Sequence, residues 1–357
     1  MKSILAILLT LGAALPLSAG EEHSVELKQT KQTVEVRIGG EPFTTLHYGD
    51  DLPKPFFAPV HAPGGGVITR PIYFKDAVPE RFQAQTPAVQ GKIDHPHQKG
   101  IFLATDEVND VKFWAEEGKI KTASVEVASD SSATIKMIHH PDGRTERVVT
   151  AAAGKPATIR LSNYWLDRGA EAIAAGTTIL SEHTTITIHP NRLMAWDIRF
   201  TAGDDVTFDD TKEGMFGIRL VDSMRESEKG TIINSEGKKG MAQAWGQTAD
   251  WTDYYGPVDG KTVGVALFDH PGNFRKSRYH VRNYGLFTMS PFGESAYTNG
   301  KQPAAPVRLK AGQVNVGGEP LRTKGGGETL RLRYGVYVHA GDEKEGQVAE
   351  AFRQFVK

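Results

Sequence analysis

Residues 329–339 read Thr-Leu-Arg-Leu-Arg-Tyr-Gly-Val-Tyr-Val-His. In an extended chain successive side chains point to opposite faces. Leu330, Leu332, Tyr334, Val336 and Val338 therefore share one side, and Arg331, Arg333, Tyr337 and His339 share the other. This is the pattern of a strand with one face on a core. The same period of two recurs outward along the chain. Val34 to Ile38 alternates before Gly39-Gly40. Thr134 to Ile138 runs into the turn His139-His140-Pro141-Asp142-Gly143. Thr177 to His189 is a long β-branched run, Met194 to Phe200 follows it, and Val263 to Phe268 reads as a buried strand. Helical periodicity is confined to Glu345–Lys357, where Val348, Phe352 and Phe355 make one apolar stripe. The expected fold is all-β: a large antiparallel β-sandwich with a C-terminal α-helix closing the sheet edge. Residues 21–357 read as one sandwich domain, with two smaller sandwiches as the alternative.

Composition narrows the function classes. The 357 residues include no Cys, which removes disulfides, Cys-ligated metals and thiolate nucleophiles. Lys plus Arg number 42 and Asp plus Glu 43, a balance that argues against nucleic acid as a partner. Residues 1–20, MKSILAILLTLGAALPLSAG, hold Lys2, an apolar run from Ile4 to Leu15 and small residues before Glu21. They read as a secretory signal peptide cleaved near Ala19 or Gly20, placing the mature chain in the periplasm or outside the cell. The run is too short to span a bilayer, so no membrane span is expected.

The polar and aromatic blocks between strands carry the candidate chemistry. In Asp94-His95-Pro96-His97-Gln98-Lys99-Gly100, Pro96 biases His95 toward extended geometry, so that His95 and His97 point the same way. Such a pair fits a hydrogen-bonded turn, an acid–base site or two ligands of a divalent metal. Lys212 and Glu213 occupy a glycine-flanked loop that leads to Arg219. Trp245-Gly246-Gln247-Thr248-Ala249-Asp250-Trp251-Thr252-Asp253-Tyr254-Tyr255-Gly256 interleaves aromatics with Asp253, a combination that suits sugar rings and hydroxyls. His270 lies in Asp269-His270-Pro271. If residues 279–284 are extended, His280, Arg282 and Tyr284 share a face, with Asn283 beside them. His339 lies on the outer face of its strand, where a plain polar surface is the alternative. His140 and His189 also precede Pro and read as turns. No nucleophile elbow, phosphate loop, dinucleotide fingerprint or HExxH zinc motif is present.

These blocks, in this order, resemble a secreted bacterial family labelled PmoA-like, or methane oxygenase PmoA: DHPHQKG at 94–100, TKEGMFGIRL at 211–220, NSEG at 234–237, WGQTADWTDYYG at 245–256, FDHPGN at 268–273, YHVRNYGLFTMSPFG at 279–293 and YGVYVHAGD at 334–342. The resemblance covers most of the chain after the leader. It departs at Gln98 and Lys99, where the family pattern has His and Arg. The family is similar to galactose mutarotase-like supersandwich proteins, which implies ligand binding on the larger sheet. A methane oxygenase subunit of the labelled kind needs several apolar spans, so we read that name as a mislabel.

The expectation that follows is a carbohydrate-active enzyme of epimerase, mutarotase or lyase type. His95, His97, Glu213, His270 and His280 are its expected acid–base residues. Lys212, Arg219, Trp245, Asp253, Arg282, Asn283, Tyr284 and His339 are its expected ligands for a small-molecule or oligosaccharide substrate. No cofactor is required, although the histidines could hold a divalent metal. The alternatives are a non-catalytic carbohydrate-binding protein and a His-ligated metalloenzyme.

Overall fold

A computed structural model describes residues 23–174, 176–202, 205–310, 313–316, 319–321 and 329–357. The leader reading at residues 1–20 lies outside the described residues. Among those described, no helix is long and apolar enough to cross a membrane.

The chain folds as a large antiparallel β-sandwich. One face is a ten-stranded front sheet, the other an eight-stranded back sheet, and a smaller third sheet stands beside them. The strand Thr329–Ala340 lies inside the back sheet between Lys261–Asp269 and Leu193–Ala202. Its alternation is realised: Leu330, Leu332, Tyr334, Val336 and Val338 are buried. The two sheets meet through aromatic side chains. Phe216 of the front sheet stacks on Tyr334 at 5.3 Å between ring centroids and meets Trp196 edge-on at 5.0 Å. Phe57 reaches the same Trp196 at 5.5 Å, and the Tyr279 hydroxyl donates to the Leu267 carbonyl at 3.0 Å. Rings of this size fill the roughly 10 Å between packed sheets. Buried apolar residues from Val25 to Val338 form one continuous cluster.

Two expectations about elements need correction. The C-terminal helix, Val348–Phe355, lies across the outer face of the back sheet and does not close its edge. Its stripe of Val348, Phe352 and Phe355 finds an apolar patch there on Leu193, Ala266, Phe268 and Tyr337. The aromatic block 245–256 is not a loop throughout, since Trp251–Val258 is a strand of the back sheet. Alternation again explains it, with Thr252 and Tyr254 on one face and Asp253 and Tyr255 on the other.

Candidate functional site

The end of the front sheet runs through the strands Arg278–Val281, Leu286–Ser290, Phe216–Arg219, Ile101–Leu103 and Phe56–Val60. Register sets His280, Thr288, Gly217, Phe102 and Phe56 in one row across them, on the face turned away from the back sheet. A second row on that face joins Leu286 to Arg219, and the Arg282 amide extends it by donating to the Leu286 carbonyl at 2.8 Å. The strand carrying His280 stops at Val281, so Tyr284 is not on it. Tyr284 sits in the turn that follows, closed by the Gly285 amide donating to Arg282 O at 3.1 Å with Gly285 at φ +87°. Glycine suits that left-handed position.

Two arginines clamp the loop 94–98 over this face. Fully buried Arg219 donates from Nη1 to Gln98 Oε1 at 2.6 Å and from Nη2 to Asp94 Oδ2 at 2.8 Å. Arg70 donates to the Asp94 carbonyl at 2.7 Å and the Gln98 carbonyl at 3.1 Å, and also to the His95 carbonyl. Held this way, His95 adopts φ +44° instead of the extended geometry expected before Pro96. A non-glycine residue there is strained by about 1–3 kcal/mol and persists because its surroundings over-determine it. The His95 and His97 rings still meet, edge to face at 5.6 Å.

His95 Nδ1 is hydrogen-bonded to the Asp94 carboxylate. Partial burial raises the Asp94 carboxyl, but the bond from His95 and the Arg219 charge hold it below the ordinary value. An ionised carboxylate only accepts, so Nδ1 carries the proton and Nε2 of the neutral ring is left as a base. The His95 side chain is 45% exposed and stands in the wall of a cleft of about 850 Å³, together with Phe74, Lys75, Lys92 and Asp94. Behind it the ring is stacked on Tyr284, and the Arg219 guanidinium lies 4.6 Å from the same ring.

His97 has a different character. It packs edge-on to Trp114 at 5.8 Å above a buried cluster in which Lys54 and Lys99 both donate to Glu116 Oε1 at 2.7 Å. Burial and the Lys54 charge push His97 down to about 3. It is neutral at ordinary pH, and its buried Nε2 has no partner. The departures at Gln98 and Lys99 thus have structural uses: one receives Arg219 and the other pairs with Glu116.

His280 is buried beneath Trp245 and Tyr297, with ring centroids 6.1 and 6.0 Å away. Its Nδ1 donates to the Lys212 carbonyl at 2.9 Å, which fixes the same tautomer as in His95. Burial lowers its basicity, while the neighbouring Glu213 charge partly opposes that. The Glu213 charge also acts on Tyr284 and on Asp106. Burial, then Glu107 and Glu213, push the Asp106 carboxyl up to about 6. Among the described residues no three His, Asp or Glu side chains are grouped as a metal site requires.

A family profile matches residues 33–353, a span that includes every residue of the site described above. The chain belongs to the family of unknown function DUF6807. No curated protein matches it.

In this DUF6807 chain the expected constellation divides. His95, His97, Arg219, Arg282 and Tyr284 come together, and Glu213 links them electrostatically to His280. Trp245 helps to enclose His280 and offers no open platform. Asn283 is exposed on the turn. His270, Asp253 and His339 do not join the group. His270 touches Phe355 of the C-terminal helix at 5.5 Å. His339 Nε2 is paired with Asp253 Oδ1 at 3.1 Å, and both are buried. These three lie on the outer side of the back sheet, across the sandwich: strand parity sends Asp253 and His339 away from the core there, and His270 follows the end of its strand beneath the C-terminal helix. Sequence reading missed Arg70, Asp106, Tyr297 and the pairing of Lys54 and Lys99 with Glu116. Arg70 lies in no block that drew notice, and its clue was only an arginine before Pro71. The role of Asp94 was closer to hand, since it precedes His95 directly.

Proposed function

We propose that this chain is a carbohydrate-active enzyme performing histidine–carboxylate acid–base chemistry, of epimerase, mutarotase or lyase type, on a sugar or modified glycoside. The carrying observation is the Asp94–His95 pair in the wall of the large cleft. Asp94 orients the imidazole and stabilises the imidazolium that forms when Nε2 takes a proton. His280, held neutral by burial, is the second base, and Asp106, whose carboxyl is pushed up by burial and by the Glu107 and Glu213 charges, is the candidate acid. The leader at residues 1–20 supports export to the periplasm or the medium.

The test is an NMR turnover screen of the purified chain against sugars and oxidised glycosides, with His95→Ala and His280→Ala as controls. Turnover abolished by His95→Ala supports the proposal. Binding of a sugar with no turnover of any would make the protein a carbohydrate-binding module instead.

A further inference from the structure

The chain as a whole is balanced in charge, with 42 cationic and 43 anionic side chains. The cleft is not. Its wall holds Lys75 and Lys92 against one carboxylate, Asp94, which is already engaged by Arg219 at 2.8 Å and by His95. Beneath it Glu116 answers two buried lysines with one charge. Arg282 is half-buried beside Tyr284 with its guanidinium 5.5 Å from a ring on which the Glu213 charge also acts; its side chain makes no hydrogen bond or ion pair with a described residue, and its buried Nε is unpartnered. Concentrated unanswered charge of one sign inside a cleft focuses a field that selects ligands of the other sign.

We infer that the substrate is a sugar bearing a carboxylate, with Arg282 receiving the charged group and Lys75 and Lys92 drawing it in. This rests on the carbohydrate reading above and adds the ligand's charge. The planar guanidinium matches a carboxylate in a two-bond fork. Its place is also informative: Arg282 and His95 both pack on the Tyr284 ring, which sets the guanidinium in the neighbourhood of the His95 base. A cation on the carboxylate stabilises the negative charge that develops when a neighbouring C–H loses its proton.

Titration calorimetry on the full chain with methyl glucuronide, methyl glucoside and glucose 6-sulfate tests this. The glucuronide is expected to bind at least about tenfold tighter than the glucoside, and the gap should shrink as salt is raised. Arg282→Ala should close the gap. Lys92→Glu, on an exposed lysine, should narrow it even if Arg282→Ala fails to fold. Equal binding of glucoside and glucuronide overturns the inference and leaves the carbohydrate reading standing. Tighter binding of the sulfate overturns the choice of carboxylate. Failure of all three ligands to bind overturns the inference and the carbohydrate reading together.

Discussion

The imidazole of His95 and the ring of Tyr284 are stacked within 8° of parallel, their centroids 5.7 Å apart. They are 189 positions apart in the chain, one in a loop clamped by two arginines and one in a hairpin turn. The stack fixes the plane of the imidazole, Asp94 fixes its rotation and tautomer, and only Nε2 is left for chemistry.

Replacing Asp94 by Asn should therefore cost more than charge. Replacing the carboxylate that orients a catalytic imidazole by the amide lowers turnover by as much as about 10⁴-fold. Turnover per folded molecule is the readout, with ¹⁵N chemical shifts of His95 recorded alongside to show loss of the Nδ1–H preference. Undiminished turnover despite a scrambled tautomer would take His95 out of the reaction.

Glu116 holds two lysines whose side chains are at most 1% exposed. Burial lowers Lys99 to about 8, and Lys54 and Lys99 together offset burial to hold Glu116 at about 2. Glu116→Gln leaves two buried cations unanswered and should destabilise the fold by about 3–5 kcal/mol. Lys99→Met restores one charge to one and should cost far less. Chemical denaturation of the two variants separates these outcomes, and equal losses would show that packing, not charge, governs the cluster.

His47 is buried between Phe56 and Phe82 and donates from Nε2 to the Ala58 carbonyl at 2.7 Å. Burial depresses it to about 4. Between pH 6.5 and 4 the unfolded chain takes up a proton that the native state excludes, so stability falls as pH drops. The loss from this one group should be about 2–3 kcal/mol at pH 4.5 relative to pH 7. Urea melts of His47→Gln across that range should show a shallower decline than the parent chain.

The His339–Asp253 pair has the opposite sign. Burial would lower His339, but the Asp253 charge, its hydrogen bond and the Ala340 carbonyl outweigh burial and raise it. Its stabilisation is complete below pH 6.5 and disappears as pH rises through the raised native value. His339→Gln should weaken the fold by about 1–3 kcal/mol near neutral pH, speed hydrogen exchange in the helix 348–355 and leave turnover unchanged. Loss of turnover in a fully folded His339→Gln protein would place the site on the back sheet instead.

Local pattern determined the class of fold. Alternation in 329–339, 178–188 and 193–202 has one low-energy solution, strands with one face on a core, and the stripe Val348, Phe352, Phe355 has one too, a helix on an apolar surface. The same local rules put His95, Arg219, His280, Arg282 and Tyr284 among the residues to watch. They could not say which of them meet. Parity assigns a residue to a face of its own strand but not to a side of the molecule. His270 stood beside His280 among the expected acid–base residues and His339 among the expected ligands, yet both His270 and His339 lie across the sandwich. Sheet order and register decided that, by pairing the strand of His280 with those of Thr288 and Gly217 and the strand of His339 with that of Gly264. The φ of His95 was likewise out of reach of Pro96 alone, because it depends on Arg70 and Arg219 arriving from distant parts of the chain. Segment and fold class are properties of neighbours along the chain; the site is a property of long-range contacts, and only the tertiary structure chose them.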